Sequence, residues 1–421
     1  MAVREDVALG ARIAAMRLGG LALAMRGDPV ARLMHRPWRL DPYPTYAAVR
    51  ASGGVMRSRT GVSAVATHAL CESVLRDRRF GVRLADGRLP FAPADGSPSL
   101  LEPVDLSLLA LDAPDHTRLR RLAQPTFAPR RLEQYRATAE RVTARLLDDA
   151  AARGHFDLVA DLASPLPITV IGELLAIPGV DTARFTRWGR ALGTALDGVR
   201  SPAHAHELAA ATRDARALFS ELVQRRRVEP GDDVVSGLVA ALDAGTMTLD
   251  ELLSLAQLLL VAGFETTTNL LGNAVRALRS TPGQWEALVA DPSLAAGAVE
   301  ETLRYDPPVQ LTARIAHADL ELDGVPLRRD SGVLVLLAAA GRDPGVHPDP
   351  NRFDLRREPT VSHLAFSGGA HYCLGAPLAR MEGEVALRML AERMPGLRAT
   401  GRMVPKVSTV LRGPRRYPVA A

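Results

Sequence analysis

The stretch Phe366-Ser367-Gly368-Gly369-Ala370-His371-Tyr372-Cys373-Leu374-Gly375-Ala376-Pro377 sets a glycine pair and a histidine ahead of a cysteine and a further glycine behind it. Pro377 stands where a first helical turn begins, and Leu378 to Leu387 continues with mostly helix-forming residues until Pro395-Gly396 stops the run. Cys373 therefore precedes a helix N-terminus, where unpaired N–H groups and the positive dipole end favour a thiolate. Glycines on both sides let something flat and bulky approach the backbone without meeting a Cβ. One cysteine and one histidine cannot close a zinc site, which takes four ligands. A structural cysteine, the usual reading of a lone Cys, has no need of such neighbours.

A thiolate bound to haem iron meets these demands, because it pushes electron density onto the metal and favours O–O cleavage. The stretch resembles the haem-binding loop of the cytochrome P450 monooxygenases, F-G-x-G-x-H-x-C-x-G. Phe366, Gly369, His371, Cys373 and Gly375 match, whereas Ser367 replaces the first glycine. The backbone freedom lost there is expected from the adjacent Gly368.

Composition sets the outer bounds. With 421 residues, 47% hydrophobic and 24% charged, and no Ser/Gly linker or low-complexity tract, the chain reads as a soluble globular protein with one large core. Residues 41–421 are expected to form that single domain, and residues 1–40 an extension with a loosely docked helix. Its longest uncharged apolar run, Leu18 to Met25, is far short of the about 20 residues that span a bilayer, so neither an anchor nor a signal peptide is expected. The net charge of +5 is almost wholly arginine, Lys406 being the only lysine, and no basic block exceeds Arg225-Arg226-Arg227. That gives no support to nucleic-acid binding. Two cysteines, Cys71 and Cys373, exclude a disulfide framework and suit a cytoplasmic protein.

Along the chain, Thr45 to Ala51 reads as a helix, followed by a hairpin over Gly54 to Thr60 and Val62 to Thr67 and a long Gly/Pro-rich connection from Arg78 to Pro103. Asp115 can cap the helix that carries His116, Arg118, Arg120 and Arg121. His116 and Arg120, four apart, share a face and make a donor pair suited to carboxylates, although such a pair alone is compatible with a solvated basic face. Amphipathic helices are expected over Leu132 to Arg153, Leu166 to Leu175, Ala183 to Leu196, His206 to Arg226 and Asp233 to Ala244.

Thr248-Leu249-Asp250-Glu251 forms a capping box for a long helix running to about Arg279, apolar from Leu255 to Val261 apart from Gln257. Into this buried rod Ala262-Gly263-Phe264-Glu265-Thr266-Thr267 inserts a glycine, an acid and hydroxyls, misfits that point to function. Thr266 can donate to the carbonyl of Ala262 and open a niche beside Gly263. A further helix carries Glu301-Thr302-Leu303-Arg304, whose acid and arginine lie on one face. Strands are expected over Leu311 to His317, Leu320 to Leu322, Val325 to Leu327 and Val333 to Ala338, with a turn at Asp323-Gly324.

The resemblance covers roughly Asp41 to Leu411 and rests on four motifs in family order. It implies a mainly α fold with a minor β region, the cytochrome P450 fold, holding haem b through Cys373. His116, Arg120, Arg314 and His371 would receive the haem propionates, with Ala262, Gly263 and Gly375 close to the cofactor. Thr266 would hold dioxygen and Glu265 would relay protons from water. The helices flanking Gly198 to Pro202 would roof the pocket. Glu301, Arg304 and Arg352 would form a structural cluster, and Arg118 and Arg121 would be available to an acidic electron donor. Substrate contacts are expected from Leu89, Phe91 and Leu100, from Val309, Gln310 and Thr312, and from Ser408, Thr409 and Val410. The implied activity is that of a class I bacterial monooxygenase, inserting one atom of O2 into a hydrophobic small molecule such as a polyketide, terpenoid, fatty acid or cyclic peptide. A ferredoxin and its NAD(P)H-dependent reductase would supply electrons. Peroxide-driven oxidation, a coupling reaction and a non-enzymatic haem gas sensor are the alternatives.

Overall fold

The structure, a computed structural model, describes residues 2–90 and 107–421, with side chains from Asp6 onward. Phe91 and Leu100 lie outside the described residues. Four helices, Pro129–Arg153, Leu249–Ser280, Ala295–Tyr305 and Ala376–Arg393, pack on one another and form the centre of the molecule. Leu147, Leu252, Leu260, Leu271, Val299, Val385 and Leu387 meet in their common apolar cluster. Aliphatic side chains thus fill a core for which the chain has few aromatics.

The central helix Leu249–Ser280 begins with the expected capping box. Thr248 Oγ1 accepts from the Glu251 amide at 3.2 Å, and Glu251 returns the bond to the Thr248 amide at 2.8 Å. The same Glu251 also takes Arg118, at 2.5 Å, and Arg118 bonds Asp115 and the Thr246 carbonyl. Arg118 is therefore a strap between two helices, with its side chain still partly exposed. Asp115 does not cap its helix either. It lies inside Asp115–Ala123, and the preceding turn is closed by the His116 amide on the Asp112 carbonyl.

The minor β region holds a five-stranded sheet ordered Met56–Arg57, Ser63–Val65, Gly332–Val335, Thr312–Ala316 and Phe80–Gly81. Ser63–Val65 pairs parallel with Gly332–Val335, and the other pairings are antiparallel. The separate hairpin Leu320–Leu322 to Val325–Leu327 turns at Asp323-Gly324, both with positive φ, as a two-residue I′ turn requires.

At the N-terminus the helix Ala2–Met25 is largely exposed. By length and composition its Asp6–Met25 portion could cross a membrane. It is held by Asp6 on His206 at 3.0 Å and by Arg32 donating to the Ala24 carbonyl at 3.2 Å. Val30 and Leu33, also within the segment read as an extension, are buried with Tyr46, Val49 and Leu336.

The Glu301 cluster corrects one residue. Glu301 takes two bonds from Arg304, each at 2.7 Å, and its second arginine is Arg357, at 3.1 Å. The Arg352 side chain is exposed and reaches only Asp354, at 3.8 Å, while its carbonyl accepts from Arg304 and Arg357. The reason is Phe353, which packs its ring against Tyr305 in the core and so turns the side chain before it toward solvent.

Candidate active site

The loop before the last helix is built from three unusual backbone positions. Ser367 has φ 62°, Gly368 is extended, and Gly369 has φ 61°. The left-handed position thus falls on Ser367 itself and not on Gly368 as expected. A side chain there costs about 1–2 kcal/mol, and Arg314 Nη2 donating to Ser367 Oγ at 3.2 Å offsets part of it. Gly369 admits no side chain, since a Cβ would stand 2.3 Å from the Leu75 carbonyl oxygen. The Cys373 amide bonds the Phe366 carbonyl at 2.9 Å, and Gly375 caps the helix Ala376–Arg393.

Cys373 is exposed although protein surrounds it. Burial raises its thiol pKa, against which the Gly375 amide, the Arg120 and Arg380 charges and the Ala376 amide pull downward. The helix N-terminus acts in the expected direction, but burial outweighs it. Such a sulfur becomes a thiolate when a metal ion binds it.

Around the loop lies a basic cluster. The rings of His116 on Asp115–Ala123 and of His371 lie with centroids 4.3 Å apart and planes tilted by 44°. Burial, then His371 and Arg120, lower His116 to about 4. Arg314, only 3% exposed on its strand, donates to Thr312 Oγ1 and the Ala313 carbonyl, and burial lowers it to about 10. Among the described residues neither Arg120 nor Arg314 pairs with a carboxylate. One acid serves the cluster: Asp112, 3.8 Å from His371. Despite burial, the neighbouring His371 and hydrogen bonds from the Arg83 and Val82 amides hold it at about 2. This excess of buried donors fits a ligand with two carboxylates, as haem has.

On the central helix Thr266 Oγ1 donates to the Ala262 carbonyl at 2.8 Å, as expected, and Thr267 does the same to Gly263 at 3.1 Å. Ala262 is exposed although Leu259, Leu260 and Phe264 around it are buried. An open small residue at mid-helix and an accessible cysteine before a helix suit a flat prosthetic group. Gly263 serves helix packing. A Cβ there would meet Ile171 Cδ1 at 2.8 Å, so it lets the helix Pro165–Leu174 pack close. Glu265 points under the helix Thr182–Ala195, against Gly189 and Gly193, and pairs with Lys406 Nζ at 2.5 Å.

Two expected substrate contacts are already engaged. Gln310 is buried, donating to the Pro307 carbonyl at 2.7 Å and accepting from Tyr46 at 3.3 Å. Thr409 donates its hydroxyl to the Leu33 carbonyl and its amide to Asp197. Leu89, Val309 and Thr312 are half-buried, with Thr312 accepting from Arg314.

Glu382 is a residue the sequence reading passed over. It is 1% exposed on the last helix, one oxygen lacks a partner, and burial pushes it up to about 8 against the opposing effect of its contact with Thr267. Its signal was an acid beside the apolar positions Leu378, Met381 and Val385. Because the folded state holds this proton to higher pH than the unfolded chain, stability falls as pH rises from about 4.5 toward 8. Glu382→Gln should therefore nearly match the wild type in denaturant titrations at pH 4 and exceed it increasingly above about pH 5, by about 4–5 kcal/mol at pH 9.

Known proteins share this arrangement. The family model described as Cytochrome P450 matches residues 293–394. The cytochrome P450 monooxygenase PikC of Streptomyces venezuelae is 41% identical over 391 residues, covering 90% of this chain and 91% of its own. The mycinamicin IV hydroxylase/epoxidase of Micromonospora griseorubida is 42% identical over 350 residues, covering 80% and 86%. Among solved structures, CalO2 superposes with a TM-score of 0.86 at 35% identity, over 92% of this chain and 97% of that one. With its cysteine loop, the Thr266 bond to Ala262 on the central helix and the basic cluster all present, the chain belongs to the cytochrome P450 family, whose members are haem-thiolate monooxygenases.

Proposed function

We propose that this enzyme hydroxylates or epoxidises a hydrophobic secondary metabolite, with electrons from a ferredoxin and its NAD(P)H-dependent reductase, in the cytoplasm. PikC and the mycinamicin enzyme support the reaction type, and the two unpaired cysteines suit a reducing compartment. In this reading Cys373 ligates the iron, and His116, Arg120, Arg314 and His371 hold the propionates. The bound haem supplies activation of dioxygen. The chain supplies position and protons. Thr266 Oγ1 presents a hydroxyl on the open face beside Ala262, and Glu265 takes protons from water and passes them toward that hydroxyl. The observation that carries the reading is the Thr266 bond to the Ala262 carbonyl next to an acid in an otherwise buried helix.

The test has two steps. Apolar natural products are screened for a low-spin to high-spin shift of the Soret band, and hits are incubated with NAD(P)H and a ferredoxin pair. Oxygenated product is expected. Turnover with peroxide alone, or binding without any product, would overturn the reading in favour of a peroxide-driven enzyme or a sensor. In the same assay Glu265→Gln and Thr266→Ala should keep the haem spectrum and lose about 10²-fold in product formation.

A further inference from the structure

Lys406 is the only lysine among 52 basic residues, and its charged partner among the described residues is Glu265, 141 positions away in sequence. Both side chains are largely shielded, at 19% and 14% exposure. The carboxylate lies in a slot cut by two glycines of Thr182–Ala195. At Gly189 a Cβ would meet the Phe264 ring at 2.3 Å and Glu265 Oε2 at 3.4 Å, and at Gly193 it would approach Glu265 Cγ at 3.5 Å. Neighbouring helical positions project about 100° apart, so an acid held in this slot is turned off the face on which Thr266 bonds Ala262.

The loop that carries Lys406 is itself fastened to the far end of the helix over Glu265. Asp197, two residues past Ala195, accepts the Thr409 amide at 2.7 Å and the Val410 amide at 3.2 Å. The Lys406 amide bonds the Gly413 carbonyl at 2.9 Å, which closes the loop on itself. Displacement of Thr182–Ala195 therefore pulls on the loop through Asp197 and on the Lys406 ammonium with it.

We propose that Lys406 is a positioning residue for Glu265. It parks the acid beneath the helix Thr182–Ala195, and the Asp197 bridge makes its grip depend on where that helix stands, so that proton supply to the Thr266 face is coupled to closure over the pocket. This rests on the reading of Glu265 as the proton-handling acid.

As the only lysine, Lys406 can be followed alone by an amine-reactive ester, with the N-terminal amine counted separately by peptide mass spectrometry. In the haem-loaded protein its acylation should be slow, and should rise about tenfold in Glu265→Gln and about threefold in Asp197→Asn, because each loses a charge-assisted hydrogen bond. The second measurement is NAD(P)H oxidation with a ferredoxin pair and no added substrate. There the ratio of peroxide released to NAD(P)H consumed should shift about threefold in Lys406→Met and return in Lys406→Arg. Equal acylation rates in wild type and Glu265→Gln would overturn the proposal, as would an unchanged ratio in Lys406→Met. Failure of the wild type to form the carbon monoxide complex of a sulfur-ligated haem would instead sink the functional reading on which it rests.

Discussion

Replacing Cys373 by alanine is expected to abolish the red-shifted Soret band that the reduced, carbon monoxide-treated wild type shows, and with it monooxygenase turnover. Loss of an outer-shell partner costs a metal site about 10–100-fold in affinity or activity, and removal of the only ligand supplied by the chain should exceed that. The fold should survive, because the loop is shaped by Gly369 and by the Cys373 amide on the Phe366 carbonyl, neither of which needs the thiol. Cys71 is the control. Its thiol is fully buried between the Val65 and Leu336 carbonyls, and burial raises its pKa far above the usual thiol range. Cys71→Ala should leave the spectrum unchanged and cost about 1–2 kcal/mol of stability. A wild-type spectrum retained by Cys373→Ala would refute the assignment of the sulfur.

What could be read from the chain alone divides by sequence separation. The Thr248 to Glu251 capping box and the bond from Thr266 to Ala262 span three and four residues, so helical geometry dictates them once the helix is recognised. The Asp323-Gly324 turn is equally local. Arg118 on Glu251 and Lys406 on Glu265 span 133 and 141 residues, and no periodicity announces them. The expectation of Arg352 beside Glu301 failed at short range for another reason: which way an irregular segment faces is set by the burial of Phe353, not by spacing. Ser367 was misjudged because the loop holds its left-handed backbone at a fixed place, and the chain met that demand with a hydroxyl anchored by Arg314.

The Glu301 cluster carries the second large effect. Glu301 and Arg304 are 4% and 3% exposed, and Arg304 also donates to the Gly341, Pro350 and Arg352 carbonyls at 2.7–3.0 Å. It therefore ties the helix Ala295–Tyr305 to two later segments. Arg304→Ala strips a buried carboxylate of its principal partner and orphans the Gly341 and Pro350 carbonyls, while Arg357 still serves the Arg352 carbonyl; about 3–5 kcal/mol is expected. Arg357 and the Asp354 amide still reach Glu301, which places the loss within that range and not above it. Arg357→Ala should cost less, about 1–3 kcal/mol, since it removes one bond to a buried acceptor. Arg352→Ala should stay within about 0.5 kcal/mol of wild type, because its side chain is exposed and its contribution is a backbone carbonyl that alanine retains. Denaturant titration of the three variants, followed by far-UV circular dichroism and by haem release, orders them directly. A loss at Arg352 as large as that at Arg357 would mean that the arginine side chains exchange places around Glu301, and that Phe353 does not set the direction of this segment.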